Sequence, residues 1–131
     1  QQADIAILCA AVADFTPNTT AQQKIKKQPG QTGMNIELKT TTDIAAQLGA
    51  AKQTHQTLVG FALETHDEQN NAEHKLRSKN LDMIVLNSLQ DKGAGFGVDT
   101  NKVTLLYANG TKKDLPLLLK QEVADAIIDS L

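Results

Sequence analysis

The sequence predicts an α/β fold, in which a mostly parallel sheet lies between helical layers and ends in a C-terminal β-hairpin. Three observations point there. Apolar runs of strand length recur at residues 4–10, 57–62 and 82–86 with almost no polar alternation. That is the pattern of strands buried on both faces. Helix-like segments stand between these runs, the order that builds parallel sheets. Near the C-terminal end, Asn109-Gly110 separates two further strand-like segments and reads as a type I′ hairpin turn.

Residues 4–10, Asp-Ile-Ala-Ile-Leu-Cys-Ala, predict the first strand, continuing into Ala11-Val12-Ala13-Asp14-Phe15. Residues 11–34 contain Pro17, Asn18, Pro29, Gly30 and Gly33 and predict a long loop. Residues 35–39, Asn-Ile-Glu-Leu-Lys, alternate and predict a short, half-exposed strand. Thr40 to Asp43 offers helix caps for a helix over Ile44 to Lys52, with Ile44, Ala45 and Leu48 on its apolar side. Thr57 to Ala62 predicts a second buried strand. Residues 67–79 predict a polar helix, acidic at Asp67 and Glu68 and basic at Lys75, Arg77 and Lys79, in accord with the helix dipole. Asp82 to Leu86 predicts a third buried strand. Val103 to Tyr107 and Lys112 to Leu115 form the hairpin, and Lys120 to Leu131 an amphipathic closing helix.

A chain of 131 residues is enough for one domain and one core. Its formal net charge of −2 suggests no general affinity for nucleic acid or an anionic membrane. Aromatic residues are only 3%, which argues against base-stacking platforms. No apolar stretch is long enough to span a bilayer. The single cysteine, Cys9, lies within the apolar run and reads as inert packing, in keeping with a reducing cytoplasm. The chain enters a strand almost at once, as a piece of something longer would.

Several chemistries lack their signatures. There is no G-x-x-x-x-G-K-[ST] and no G-x-G-x-x-G after the first strand, and Gly93, Gly95 and Gly97 read as a flexible turn. His55, His66 and His74 have no cysteine partners at zinc-ligand spacing. What remains is a crevice beyond the carboxyl ends of the strands, where open α/β sheets bind ligands. Small residues before Asp14 let a flat ligand approach the backbone, and the Asp14 carboxylate can accept hydrogen bonds from sugar hydroxyls. Lys24-Ile25-Lys26-Lys27 is either a solvated patch or a mobile loop that brings an ammonium onto phosphate or acyl-phosphate oxygens. Lys75 and Lys79, four residues apart on one helix, share a face that either solvent or an anion such as a triphosphate would occupy.

Taken in order, these pieces carry a resemblance. Ala10-Ala11-Val12-Ala13-Asp14-Phe15-x-Pro17, Lys24-Ile25-Lys26-Lys27, Val59-Gly60-Phe61-Ala62-x-Glu64-Thr65 and Lys75-Leu76-x-x-Lys79-Asn80-Leu81-Asp82 resemble phosphopantothenoylcysteine synthetase, or phosphopantothenate–cysteine ligase. Asn87, Gly95-Phe96-x-x-Asp99-x-Asn101 and Leu115-Pro116 continue the likeness over essentially the whole chain. The resemblance implies a Rossmann-like three-layer domain that pairs into a homodimer in the cytoplasm. It implies CTP-dependent activation of 4′-phosphopantothenate to an acyl-cytidylate, with Mg2+ beside the triphosphate, then amide formation with L-cysteine. It also implies fusion to a flavin-dependent decarboxylase domain. A non-catalytic nucleotide-binding or regulatory module that keeps the fold is the alternative.

Carried over to this chain, the resemblance implies that Leu8, Cys9 and Ala10 line the nucleotide with backbone groups and that Asp14 holds the ribose. Lys24 would be the loop lysine that acts on the acyl-cytidylate. Thr42, Asp43, Ile44 and Ala45 would meet the nucleotide at a helix start, Phe61 would pack on it, and Lys75 and Lys79 would meet its phosphates. This chain departs from the family pattern at three places. Thr41-Thr42 stand where an Asn-Pro pair is usual, and Ser88 where Asp is usual. The first strand of the family, with its Gly-rich turn and Asn-bearing segment, is absent, so residues 1–131 are expected to be the C-terminal part of the nucleotide-binding ligase domain.

Overall fold

The computed structural model describes residues 3–88, 93–94 and 97–131. The elements run β1 (Ile5–Leu8), β2 (Phe15–Pro17), β3 (Leu38–Thr40), α1 (Ile44–Ala51), β4 (Thr57–Glu64), α2 (Glu68–Ser78), β5 (Met83–Ser88), β6 (Thr100–Asn101), β7 (Val103–Tyr107), β8 (Lys112–Asp114), β9 (Leu118–Leu119) and α3 (Lys120–Ile128). They fall into two compact units, one of Gln1–Cys9 with Ile44–Leu131, the other of Ala10–Asp43.

The larger unit is a five-stranded sheet in the order β1-β4-β5-β7-β8. β1, β4 and β5 are parallel, and β7 and β8 continue the sheet antiparallel. The parallel part and its hairpin edge are those the sequence predicts. Alternation of side chains across the pleat divides the core. Leu58, Ala62, Ile84 and Leu86 face α1 and α2, packing with Ala72, Leu76 and Leu48. Val59, Met83, Val85 and Leu105 face the other way, onto Val123 and Ile127 of α3. Because both faces are covered, β5 from Met83 to Leu86 is buried residue after residue. Two covered faces make three layers. At the entry to the sheet, Lys52 Nζ donates to both carboxylate oxygens of Asp82 at 2.8 Å, and Asp82 Oδ2 accepts the Leu58 backbone N–H at 2.7 Å. This buckle ties the end of α1 to the starts of β4 and β5.

The first strand departs from its predicted burial. β1 ends at Leu8 rather than residue 10, lies at the edge of the sheet, and is exposed at Ile5 and half-buried from Ala6 to Leu8. Its apolar composition suits a central strand, but among the described residues β4 alone pairs with it. Cys9, beyond the strand end, is exposed, which corrects the inert, buried reading. β4 runs two residues past its predicted end, to Glu64, and β5 to Ser88, because both stay paired there through Leu63↔Asn87 and Glu64↔Ser88.

The hairpin turn also differs from its prediction. Gly110 N–H donates to the Tyr107 carbonyl, and only Gly110 in the turn has positive φ, at 84°. That is a type I turn followed by a left-handed glycine, not a type I′ turn, which needs positive φ at two positions. A two-residue pairing of β6 with β9, which local pattern does not announce, precedes α3. α3 ends at Ile128 rather than Leu131; it buries Val123 and Ile127 but leaves Ala124 and Ile128 exposed, as is Leu131 beyond it, a narrower stripe than the predicted one.

In the smaller unit, β2 and β3 pair antiparallel from Phe15↔Thr40 to Pro17↔Leu38. Thr41 extends this pairing, with its N–H on the Asp14 carbonyl at 2.9 Å and its hydroxyl on the Ala13 carbonyl at 2.6 Å. The predicted 11–34 loop thus contains a strand, and the predicted 35–39 strand is shifted to Leu38–Thr40 and fully exposed. Among the described residues no helix is long and apolar enough to cross a membrane.

Candidate functional site

In the larger unit Leu8 and the ammonium of Lys75, held by Glu64, lie at the carboxyl ends of the parallel strands, whereas Lys79, at the end of α2 just before β5, lies toward their amino ends. Leu8, the last residue of β1, pairs with Gly60 of β4. Gly60 packs closely, since a Cβ there would stand 2.7 Å from Leu81 Cδ1, which would have to shift. Phe61 and Leu63 share the pleat face of Val59, yet each is 40% exposed. An apolar step is therefore open at the end of β4, available to a flat ligand.

The tip of β4 carries a charge pair that spacing alone does not disclose. Lys75 Nζ donates to Glu64 Oε1 at 2.6 Å, and Asn71 Nδ2 reaches Glu64 Oε2 at 3.4 Å. The Glu64 side chain is 12% exposed and that of Lys75 42%. Glu64 is part-buried, so leaving its carboxylate without the cation costs more than the about 0.2–1 kcal/mol that an exposed ion pair returns. The Lys75 side chain, at 42% exposed, is open to solvent while its ammonium donates to Glu64. Nearby, Ser88 Oγ donates to Glu68 Oε1 at 2.7 Å, joining the tip of β5 to the first turn of α2. Asn87 Oδ1 is buried with no hydrogen-bond donor among the described residues.

Lys79 is not inside α2 as predicted. It is the C-cap residue, at φ −103° and ψ 8°. The next residue, Asn80, turns left-handed at φ 51° and donates its side-chain amide to the Gly49 carbonyl at 2.8 Å. A Cβ on Gly49 would lie 1.8 Å from the Lys79 carbonyl oxygen. Glycine at the end of α1 thus sets how closely the end of α2, with Lys79, can approach. Ile44 and Ala45 open α1 as predicted, Ile44 exposed and Ala45 half-buried.

The remaining predicted residues belong to the smaller unit. Ala10, Asp14, Lys24, Thr42 and Asp43 are all exposed there. Asp14 is not at the tip of the first strand. It lies six residues beyond Leu8, directly before β2, with its backbone carbonyl engaged by Thr41. Lys24 sits in a stretch with neither helix nor strand. Gly95 and Phe96 lie outside the described residues. Among the described residues no three His, Cys, Asp or Glu side chains converge as a metal cluster. Sequence reasoning gave no role to Glu64, Asn71 or Gly49. Glu64 stood in the Val59 to Thr65 motif, but only the fold shows that Lys75, eleven residues on, returns to it.

A mostly parallel sheet covered by helices on both faces, with Phe61 exposed on the α3 side and the Glu64–Lys75 pair at the tip of β4 on the α2 side, places the chain in the α/β class whose members open their crevices at the carboxyl ends of the strands. The chain belongs to the family described as the DNA/pantothenate metabolism flavoprotein C-terminal domain, whose model matches residues 1–131. It is 56% identical over 128 residues to a cysteine/cysteine sulfinic acid decarboxylase from an unknown prokaryotic organism, covering 98% of this chain and 35% of that protein. It is 50% identical over 128 residues to the coenzyme A biosynthesis bifunctional protein CoaBC of Bacillus subtilis (strain 168), covering 98% of this chain and 31% of that protein. The crystal structure of the C-terminal domain of a CoaBC matches with a TM-score of 0.75 and 38% identity, covering 98% of this chain and 53% of that one. The chain thus spans about a third of the length of these curated relatives.

Proposed function

We propose that this chain is the nucleotide-binding part of a CTP-dependent phosphopantothenate–cysteine ligase of coenzyme A biosynthesis. The observation that carries the reading is the full-length match to the family, at 50% identity to a CoaBC, with the ordered motifs in place. In the proposed reaction a carboxylate oxygen of 4′-phosphopantothenate attacks the α-phosphorus of CTP. The bond to pyrophosphate breaks and an acyl-cytidylate forms. The amine of L-cysteine then attacks the acyl carbon, loses a proton, and CMP leaves.

Leu8, Cys9 and Ala10 present backbone groups to the nucleotide in this reading, and Asp14 accepts from the ribose. Thr42 to Ala45 meet the nucleotide, and Phe61 supplies the exposed apolar step on which it packs. Lys75 and Lys79 meet phosphate oxygens, and Lys24 stabilises charge developing on the acyl-cytidylate. Magnesium would accompany the triphosphate, held largely by phosphate oxygens, as Mg2+ commonly is, and would offset phosphate charge. The proposal extends to a homodimer, a cytoplasmic setting and fusion to a flavin-dependent decarboxylase domain.

A coupled pyrophosphate-release assay on the protein carrying this chain tests the reading. Release should require CTP, 4′-phosphopantothenate and cysteine together. Residues 1–131 alone should bind CTP without full turnover, and full turnover by them would contradict the assignment of a partial site. A second reading follows from the decarboxylase relative at 56% identity. Carbon dioxide release from cysteine or its sulfinate, with no pyrophosphate release, would favour it. CTP binding with neither reaction would favour the non-catalytic module.

A further inference from the structure

We propose that Glu64 is a positioning residue for the nucleotide's phosphates, acting through Lys75; the inference rests on the reading of Lys75 as a phosphate contact. The geometry is specific. Glu64 ends β4, and the lysine comes from the second turn of α2 onward, so the 2.6 Å contact closes the loop between strand and helix at the carboxyl end of the sheet. Glu64 is nearly buried and takes one N–H of the ammonium on Oε1, while Asn71 approaches Oε2. Lys75, at 42% exposure, keeps its other N–H groups at the surface.

Exchange and sharing are the two ways a triphosphate could meet this pair. Exchange would strip the cation from a part-buried carboxylate and leave that charge uncompensated, a loss greater than a surface ion pair returns. Sharing keeps the carboxylate paired and uses N–H groups that Glu64 does not need, since an ammonium has three. Sharing is therefore favoured. Glu64 fixes the ammonium before the nucleotide arrives, so less side-chain freedom is lost on binding. A free lysine at the same place would have to be ordered by the ligand.

The test is a double-mutant cycle in the protein carrying this chain, with CTP affinity by calorimetry and KM and kcat by pyrophosphate release. Glu64→Ala should weaken CTP about twofold to fivefold, the range for loss of one oriented ion pair. The loss should appear in KM for CTP and not in KM for cysteine. Lys75→Gln should weaken CTP similarly, and the double variant should be no weaker than Lys75→Gln alone. Glu64→Asp, which restores charge on a shorter arm, should recover part of the loss. If Glu64→Ala fails to fold, Glu64→Gln, which keeps shape and an acceptor, replaces it in the cycle. Effects that multiply in the double variant, or a Glu64 variant that binds CTP normally or more tightly, would overturn the positioning role while leaving Lys75 as a phosphate contact. A Lys75→Gln protein with unchanged CTP affinity would overturn both this inference and the reading of Lys75 beneath it.

Discussion

Replacing Gly49 by alanine should destabilise the protein although it improves local helix propensity. The glycine lies in the last turn of the first helix, against the end of the second. An added Cβ would lie 1.8 Å from the Lys79 carbonyl oxygen and 2.8 Å from its carbonyl carbon. Both are backbone atoms, so no side-chain rotation relieves the clash and the helix ends must separate by more than an ångström. Overpacking of this kind costs about 1–3 kcal/mol. Separation also lengthens the 2.8 Å bond from Asn80 Nδ2 to the Gly49 carbonyl, a loss of about 1 kcal/mol. The gain in propensity from Gly to Ala returns about 1 kcal/mol. The net loss is about 2 kcal/mol, or roughly 6–10 °C in Tm for a chain of this size. Thermal unfolding followed by circular dichroism measures it, with Gly33→Ala as control, since a Cβ there meets nothing within 4 Å. CTP affinity should fall as well, because Lys79 moves with the helix end. An unchanged or raised Tm for Gly49→Ala would refute the argument from close approach.

Asp82→Asn should cost about 2–3 kcal/mol in urea unfolding, because it leaves the ammonium of Lys52, 13% exposed, without its carboxylate; Lys52→Met should cost less, since it removes the buried charge itself. Gly110→Ala should cost about 1 kcal/mol, as φ at 84° places the new Cβ in the left-handed region, and chemical denaturation should register it. Lys24→Gln should slow cysteine-dependent product formation by at least about tenfold while calorimetry finds CTP binding nearly unchanged; normal turnover would remove the catalytic role proposed for that lysine.

Much of the larger unit was legible from local pattern because its signals report burial along a single element. Met83 to Leu86 reads as apolar without alternation because helices cover both faces of β5. Residues 67–79 read as a helix because their charges suit its dipole, and the helix forms over Glu68–Ser78, burying Ala72 and Leu76. The family resemblance likewise depended on short motifs, and the match over residues 1–131 bears out its coarser part, membership in the DNA/pantothenate metabolism flavoprotein C-terminal domain family.

What local pattern could not reach was anything decided by a partner distant in sequence. The residues of β1 have the composition of an interior strand, but burial is set by neighbours, and among the described residues only β4 lies beside it, with Ile5 exposed. Phe15 to Pro17 became a strand only because Leu38 to Thr40 came to lie beside it. The spacing of Lys75 was visible, but its bond to Glu64 was not, since a helix must first fold back over the end of β4 to bring the two together. Propensity and periodicity act within a few residues along the chain; pairing, exposure and the direction of a charged group follow from packing across it, and so belong to the tertiary structure alone.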